Sequence, residues 1–400
     1  YDKESGELVL HNYMDFDNLK DYVKISYELT QDGLLIGKGK LDEVSVAPHS
    51  EGKTNLQVNV PENGKCYLKL TYHLKKEMPL LEEDYILGFD EIEVSQKDAK
   101  CQLAEKWVEK TVTDSELQVS EDDTQIHIKG REFAYTIDRR TALFTEMKFA
   151  GREYLNHPME LNIWRAPTDN DMYIKSEWKK AHYDKAYTRA YTTEVVQGKH
   201  GVKITSHASV VAETVQKILD VTITWKIEAA GKIDADIAVT KDDEFPDLPR
   251  FGVRMFLDKK LSAVRYFGMG PQESYCDKHQ AASHGLYRAD VGDLHEDYIR
   301  PQENGSHYDC EYVELNNSRY GIVVSAENAF SFNASYYTQE ELEKKTHNYE
   351  LIESDSVVFC VDYALNGIGS NSCGPVVLEQ YRFDDVLFRF QFTLIPYVKG

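Results

Sequence analysis

Trp164, Arg165, Ala166 and Pro167 run directly into Thr168, Asp169, Asn170 and Asp171, which brings an indole, a guanidinium, an amide and two carboxylates into one short segment. Pro167 keeps Ala166 out of the helical region, so the chain is extended there. Arg165 presents a planar fork that donates to a carboxylate at two points, and the carboxylates nearest in sequence are Asp169 and Asp171. Two readings follow. In the first, Arg165 pairs with one of them and pins a loop to a sheet. In the second, Arg165, Asp169, Asn170 and Asp171 form an inter-domain latch beside a binding cleft. As a metal site the two aspartates offer two hard oxygens, where a calcium cage uses about 6–8. As a catalytic pair they lie too near in sequence to flank a glycosidic bond, which in retaining chemistry needs carboxyls about 5–5.5 Å apart.

Three further segments carry polar groups in irregular backbone. Arg265 to Tyr275 reads as a strand ending in the turn Gly268-Met269-Gly270-Pro271. It lacks the Lys-Ser/Thr and the helix of a phosphate loop. Pro301-Gln302-Glu303-Asn304-Gly305 is turn-forming. Glu303 and Asn304 can bond a sugar hydroxyl or loop backbone, and turn residues usually serve their own turn. Leu365 to Pro375 holds Asn366, Gly367, Gly369, Ser370, Asn371, Ser372, Cys373 and Gly374, a composition that excludes helix and strand interior. It is longer than a hairpin requires, and long loops on rigid sheets often carry function. No Gly-x-Ser-x-Gly elbow makes a serine nucleophilic, and Cys373 has no positive neighbour to lower its pKa. His279, His284 and His295 fall close together without a carboxylate at a recognised ligand spacing, so they read as surface or hydrogen-bonded residues and no metal site is assigned.

The elements that must position these segments read as strands. Over residues 7–95, Glu7-Leu8-Val9-Leu10 starts a strand and Asn12 to Phe16 is its turn-rich exit. Val23, Ile25, Tyr27 and Leu29 alternate along another, Gln31-Asp32-Gly33 closes a hairpin, and Thr54 to Pro61 and Tyr67 to Leu74 alternate again. About seven short strands in this stretch predict an immunoglobulin-like sandwich. Residues 96–112 turn polar and lysine-rich and read as a linker. From 113 to 400 the strands lengthen. Gln125 to Gly130 pairs with Phe133 to Asp138, Lys217 to Ile227 precedes Lys232 to Val239, and Val386 to Ile395 alternates near the end. Nearly 290 such residues predict one large antiparallel sandwich, because smaller pieces could not each bury a core. Helices are expected at Ser176 to Ala186 and at Gln339 to His347, the latter opened by a Thr338/Glu341 capping pattern.

Composition narrows the partners. Lys and Arg number 46 against 68 Asp and Glu, a net charge of −22 that repels nucleic acid and anionic membrane and suits a neutral ligand. Cys66, Cys101, Cys276, Cys310, Cys360 and Cys373 form no C-x-x-C pair and read as free thiols of a reducing compartment, the cytoplasm. No apolar run reaches the roughly 18 residues of a membrane span. The start, Tyr1-Asp2-Lys3-Glu4, reads as the interior of a longer polypeptide.

With these motifs in order, the chain resembles the C-terminal region of bacterial β-galactosidases of glycoside hydrolase family 2. Leu161 to Asp171 resembles that family's Trp-Arg-Ala-Pro-x-Asp-Asn-Asp signature, and Phe267 to Tyr275, Pro301 to Gly305 and Gly367 to Pro375 follow in the family's order. Asn12 to Phe16 and Leu41 to Ser50 resemble the sandwich that succeeds the family's catalytic barrel. The resemblance implies an all-β chain: an immunoglobulin-like sandwich over 1–95, a linker over 96–112 and a β-supersandwich over 113–400. It implies that both catalytic glutamates, and Mg and Na where bound, belong to a barrel of the same polypeptide. No catalytic residue or cofactor is then expected here. The supersandwich lends loops to the rim of a galactoside site, and the intact enzyme is expected to form a homo-oligomer. Cys373 stands where the family's rim Trp aligns, which leaves Asn371, Ser370 and Cys373 as rim candidates, with Met172 to Ser176 resembling a mobile loop. Arg165, Asp169, Asn170, Asp171, Glu303 and Asn304 are the latch candidates. The alternative is a stand-alone carbohydrate-binding sandwich without hydrolase activity.

Overall fold

The computed structural model describes residues 1–104, 117–369, 371–372 and 374–399. The second part of the expected linker, 105–112, lies outside them. The chain divides into two compact units, one of Tyr1–Leu103 with His284–Leu286 and one of Ala104–Ser283 with Tyr287–Gly400.

Six strands build the first unit among the described residues, one fewer than the pattern predicts. Glu7–Asn12 pairs with Ser50–Asn55, and a four-stranded sheet runs Leu34–Lys40, Val23–Gln31, Cys66–Leu74, Ile86–Glu93. The predicted hairpin is there: Asp32 and Gly33 both take positive φ (47° and 75°), as a tight two-residue turn between twisted strands demands. Ile25 and Leu29 face a core with Leu8, Leu10, Leu68 and Leu70. The expected strand over Thr54 to Pro61 is corrected: the ladder stops at Asn55, and Leu56, Val58 and Val60 reach the core from backbone that joins no sheet.

The second unit has a twelve-stranded antiparallel sheet and a five-stranded sheet. Along Leu219–Glu228, Val221, Ile223, Trp225 and Ile227 are fully buried while Asp220 and Lys226 are exposed, the period of two that fixes register. Trp225 sets its ring edge-on to Phe144 of the smaller sheet at 4.9 Å and donates its Nε1–H to the Ala142 carbonyl at 2.8 Å. One core spans both sheets. Three neighbouring strands, Ser306–Asn316, Tyr320–Ser335 and Ser356–Leu365, form the platform beneath the polar segments.

The first expected helix is shorter than predicted. It covers Ile174–Lys180 and stops because His182 enters the left-handed region (φ 57°), after which Tyr183–Lys185 makes one tight turn. The second covers Gln339–Lys344, with the Thr338 hydroxyl accepting the Glu341 amide at 3.1 Å. No helix of the described residues is long and apolar enough to cross a membrane.

Candidate functional site: a loop held at its root

Leu155–Asn162 delivers the chain to Trp164 and Arg165 at the edge of the large sheet. Arg165 is wholly buried. A buried guanidinium must satisfy its donors, and this one does so with one carboxylate and two carbonyls. Nε donates to Asp171 Oδ2 at 3.1 Å and Nη2 to Asp171 Oδ1 at 2.7 Å. Nη1 donates to the Asn366 carbonyl at 2.5 Å and Nη2 also to that of Gly367 at 3.2 Å. Of the two aspartates left open by the sequence, Asp171 is the partner, because the tight turn Asp169–Met172 brings it back toward Arg165. Asp169 lies outside the pair; its backbone amide donates to Gln302 Oε1 at 3.0 Å. The neighbouring helix is fixed to the same place: Trp178 is buried with its ring under the Arg165 guanidinium at 5.2 Å and against Trp164 at 6.1 Å.

Arg165 therefore joins the Trp164 segment to the start of the glycine-rich loop. Three more residues complete the hold. Asn170 Nδ2 donates to the Ile368 carbonyl at 2.6 Å. Asp277 accepts the amides of Ile368 (3.0 Å) and Gly369 (2.8 Å) on its two oxygens. Asn366 accepts the Phe383 amide at 2.9 Å, and the Gly367 amide reaches the Tyr381 carbonyl at 2.8 Å. Gly367 is needed for this: a Cβ there would sit 2.7 Å from Asp277 Oδ2. Asp277, Asn366 and Tyr381 escape sequence reasoning, since their partners lie far away in the chain.

A second buried arginine stands next to the first. Arg250 donates Nε (3.1 Å) and Nη2 (2.5 Å) to Asp362, and Nη1 to Glu303 Oε2 at 3.2 Å. Burial alone would lower the guanidinium's pKa, but Asp362 and Glu303 outweigh it and raise it well above the usual value. Glu303 is pushed up by burial, against the pull of Arg250 and Arg165. Its Oε1 has no hydrogen-bond partner among the described residues. The expectation that Glu303 serves loop backbone is thus only half met: its own amide donates to the Ala166 carbonyl at 3.0 Å, while its carboxylate goes to Arg250. Asn304 does serve the loop, accepting the Glu296 amide at 3.0 Å and donating to the Gln302 carbonyl at 2.8 Å. All these partners belong to the second unit.

Above the root lies a cavity of about 510 Å³ whose walls include Asn170, Met172, Tyr173, Asn366, Asn371 and Val376. Of the rim candidates, Asn371 lines it in a left-handed conformation (φ 87°), and Ser370 and Cys373 lie outside the described residues. The segment expected as a loop over Met172 to Ser176 is mostly regular: exposed Met172 ends the tight turn, exposed Tyr173 alone links it to the helix, and Ile174 already begins that helix. Among the cavity's carboxylates, Asp171 is taken by Arg165 and Glu177 by Lys180 at 2.8 Å. Asp247 remains, its carboxyl pushed up by burial and then by Asp384. Asp384 does not line the cavity, and the two-carboxyl chemistry of glycoside cleavage needs two free carboxyl groups facing the sugar. The cavity can instead bind and orient a neutral polar ligand with apolar edges and amides. No group of three potential metal ligands occurs among the described residues.

Residues 129–394 match the family described as β-galactosidase small chain, and residues 8–95 match domain 4 of β-galactosidase. A β-galactosidase of Actinobacillus pleuropneumoniae is 42% identical over 392 residues, covering 98% of this chain and 38% of that protein. One of Staphylococcus xylosus is 30% identical over 398 residues, covering 98% and 39%. The chain spans roughly two fifths of the length of these curated relatives. A solved galactose 1-epimerase of Lactobacillus acidophilus covers 72% of this chain at 8% identity with a TM-score of 0.38, a likeness too slight to bear on fold or function.

Proposed function

The chain belongs to the β-galactosidase small chain family, and from that premise we propose that it is the non-barrel part of a retaining β-galactosidase. In this reading it shapes the rim of a site that hydrolyses terminal β-D-galactosyl residues, as in lactose. Both catalytic carboxylates sit on another part of the same polypeptide, together with any Mg or Na. The whole enzyme is cytoplasmic and works as a homo-oligomer.

The observation that carries this reading is the joining of the Trp164–Asp171 segment to the glycine-rich loop by Arg165. Two segments about 200 residues apart converge on one buried cation, and the cavity they share opens beside it. A loop needs no such anchorage to close a hairpin; a binding wall that must hold its shape does. Met172, Tyr173, Asn371 and Val376 are the surfaces such a wall offers to a galactoside or to the barrel's own loops.

The test is a turnover assay of a chromogenic galactoside. The purified chain should show none, and a complete enzyme that includes it should be active. A Tyr173→Ala or Asn371→Ala change in that complete enzyme should raise KM severalfold. Turnover by the chain itself, with contaminating enzyme excluded, would overturn the assignment, as would unchanged kinetics in both variants.

A further inference from the structure

A second cavity, of about 310 Å³, lies on the platform of the three strands Ser306–Asn316, Tyr320–Ser335 and Ser356–Leu365, closed on one side by residues 380–385. We infer that it is a binding site for one neutral sugar ring, separate from the rim cavity. The two cavities share Arg382, and the backbone of Tyr381 and Phe383 also braces the loop root, but none of the observations used here involves the pairing of Arg165 with Asp171.

The cavity's lining is the first observation. Tyr308, Tyr363 and Tyr381 line it, and none of their hydroxyls has a hydrogen-bond partner among the described residues. Phe330 and Phe383, both buried, supply apolar floor. Tyr363 is braced by stacking on Phe388 at 4.9 Å and 15°, so its ring is a fixed wall. Tyr275 also lines the cavity, with its buried hydroxyl lying toward Glu303 and Glu273 and not available to a ligand there.

Charge placement is the second. Asp309 borders the cavity from a bulge in its strand, in a left-handed conformation (φ 53°). Bulges re-aim side chains, and a non-glycine residue held at positive φ marks a position the surrounding structure insists on. Asp385 also lines the cavity, near enough to Tyr363 to raise its phenol pKa after the effect of burial. Arg382 uses Nε on the Val377 carbonyl at 3.0 Å, and its terminal nitrogens meet no acceptor among the described residues.

These features select a ligand class. Two carboxylates against one guanidinium disfavour a phosphate or carboxylate ligand, and Arg382 disfavours a cation. An apolar ligand would leave the phenols, the carboxylate of Asp385 and the guanidinium without partners, which is costly. A sugar ring offers an apolar C–H face to the aromatic walls and hydroxyls that both donate and accept. The volume stands at the low end of the roughly 300–1,000 Å³ typical of ligand pockets, room for one ring and not for a chain of them.

The experiment is a ligand-observed NMR titration of the 400-residue chain with methyl β-D-galactopyranoside and with D-glucose, with inorganic phosphate as competitor. Saturable binding is expected for at least one pyranose, with Kd on the order of 1–10 mM, since a ligand of so few heavy atoms gains little. Ala329→Trp, which fills the cavity from an exposed position, should abolish it, and Tyr173→Ala at the rim should leave it unchanged. Should circular dichroism show Ala329→Trp misfolded, exposed Asp385 decides: Asp385→Asn should weaken binding about tenfold. Absence of saturable pyranose binding would overturn the site. So would binding that Ala329→Trp leaves intact, binding lost in Tyr173→Ala, or displacement of the sugar by phosphate at comparable concentration.

Discussion

The root and the tip of the segment 366–383 are made of opposite materials. At the root, each backbone group from the Asn366 carbonyl to the Gly369 amide is held, all but one through buried or half-buried side chains: Arg165 takes the carbonyls of Asn366 and Gly367, Asn170 that of Ile368, Asp277 the amides of Ile368 and Gly369, and the Tyr381 carbonyl the Gly367 amide. At the tip, Val376 and Leu378 are exposed, and Asn371 stands beside the cavity in a backbone conformation few residues adopt. The difference separates two tasks. The root converts sheet rigidity into a fixed direction for the loop, and the tip offers surface. Removing charge at the root must therefore cost stability and shape together, whereas changes at the tip touch recognition alone.

The largest effect is expected at Arg165. Arg165→Met strands the Asp171 carboxylate in a buried site and frees two carbonyls, for which about 3–5 kcal/mol of destabilisation is the ordinary cost of breaking a buried pair. Urea unfolding followed by tryptophan fluorescence measures it, since Trp164 and Trp178 lie against this residue. A loss below about 1 kcal/mol would place the root among weakly coupled surface contacts.

Next comes Asp277. Asp277→Ala removes two hydrogen bonds to a charged acceptor, worth about 1.5–3 kcal/mol each before relaxation and rehydration reduce the sum. The amides of Ile368 and Gly369 should lose hydrogen-exchange protection by an order of magnitude or more, while those of Leu219–Glu228 keep theirs. Equal loss in both places would show that Asp277 supports the whole sheet and not the loop.

Glu303 sharpens the contrast through pH. Burial raises its folded-state pKa above the unfolded value of about 4.3. The folded chain then holds a proton where the unfolded chain has released it. Stability from this group is present below the unfolded value and lost as pH rises through the folded one. Glu303→Gln should accordingly gain on the wild type as pH rises above about 4.3, by at most about 1.4 kcal/mol per pH unit. A stability difference independent of pH would contradict the reading that burial of Glu303 outweighs its pairing with Arg250.

Much of this arrangement was legible in the residues themselves, and the reasons differ by place. The Asp32–Gly33 hairpin and the alternation along Leu219–Glu228 are local, so periodicity and turn chemistry report them directly. The pairing of Arg165 with a nearby aspartate was legible as a type of interaction, yet neither its burial nor its choice between Asp169 and Asp171 was, since the choice depends on a tight turn that no spacing rule distinguishes. Arg250, Asp362 and Asp277 were not legible. Arg250 and Asp362 stand 112 positions apart on adjacent strands, and Asp277 meets its amides 91 and 92 positions away. Only the order of strands in the sheet brings them together. The over-long helix at Ser176 to Ala186 failed for another reason: His182 adopts positive φ, which its side chain does not announce.

The smallest effect belongs to the tip. Tyr173→Ala and Val376→Ser should each change stability by no more than about 0.5 kcal/mol, because both side chains are exposed. A shift of several kcal/mol in either would mean that the tip is part of the fold.

The central claim is that the sheet-bound root fixes a wall that a galactoside meets. Its most direct test is the steady-state KM for a β-galactoside of a complete enzyme carrying Asp277→Ala, at a temperature where its core strands retain wild-type hydrogen-exchange protection. KM should rise about tenfold, corresponding to about 1.4 kcal/mol of lost binding. A KM and kcat indistinguishable from wild type, with the loop amides demonstrably unprotected, would contradict it.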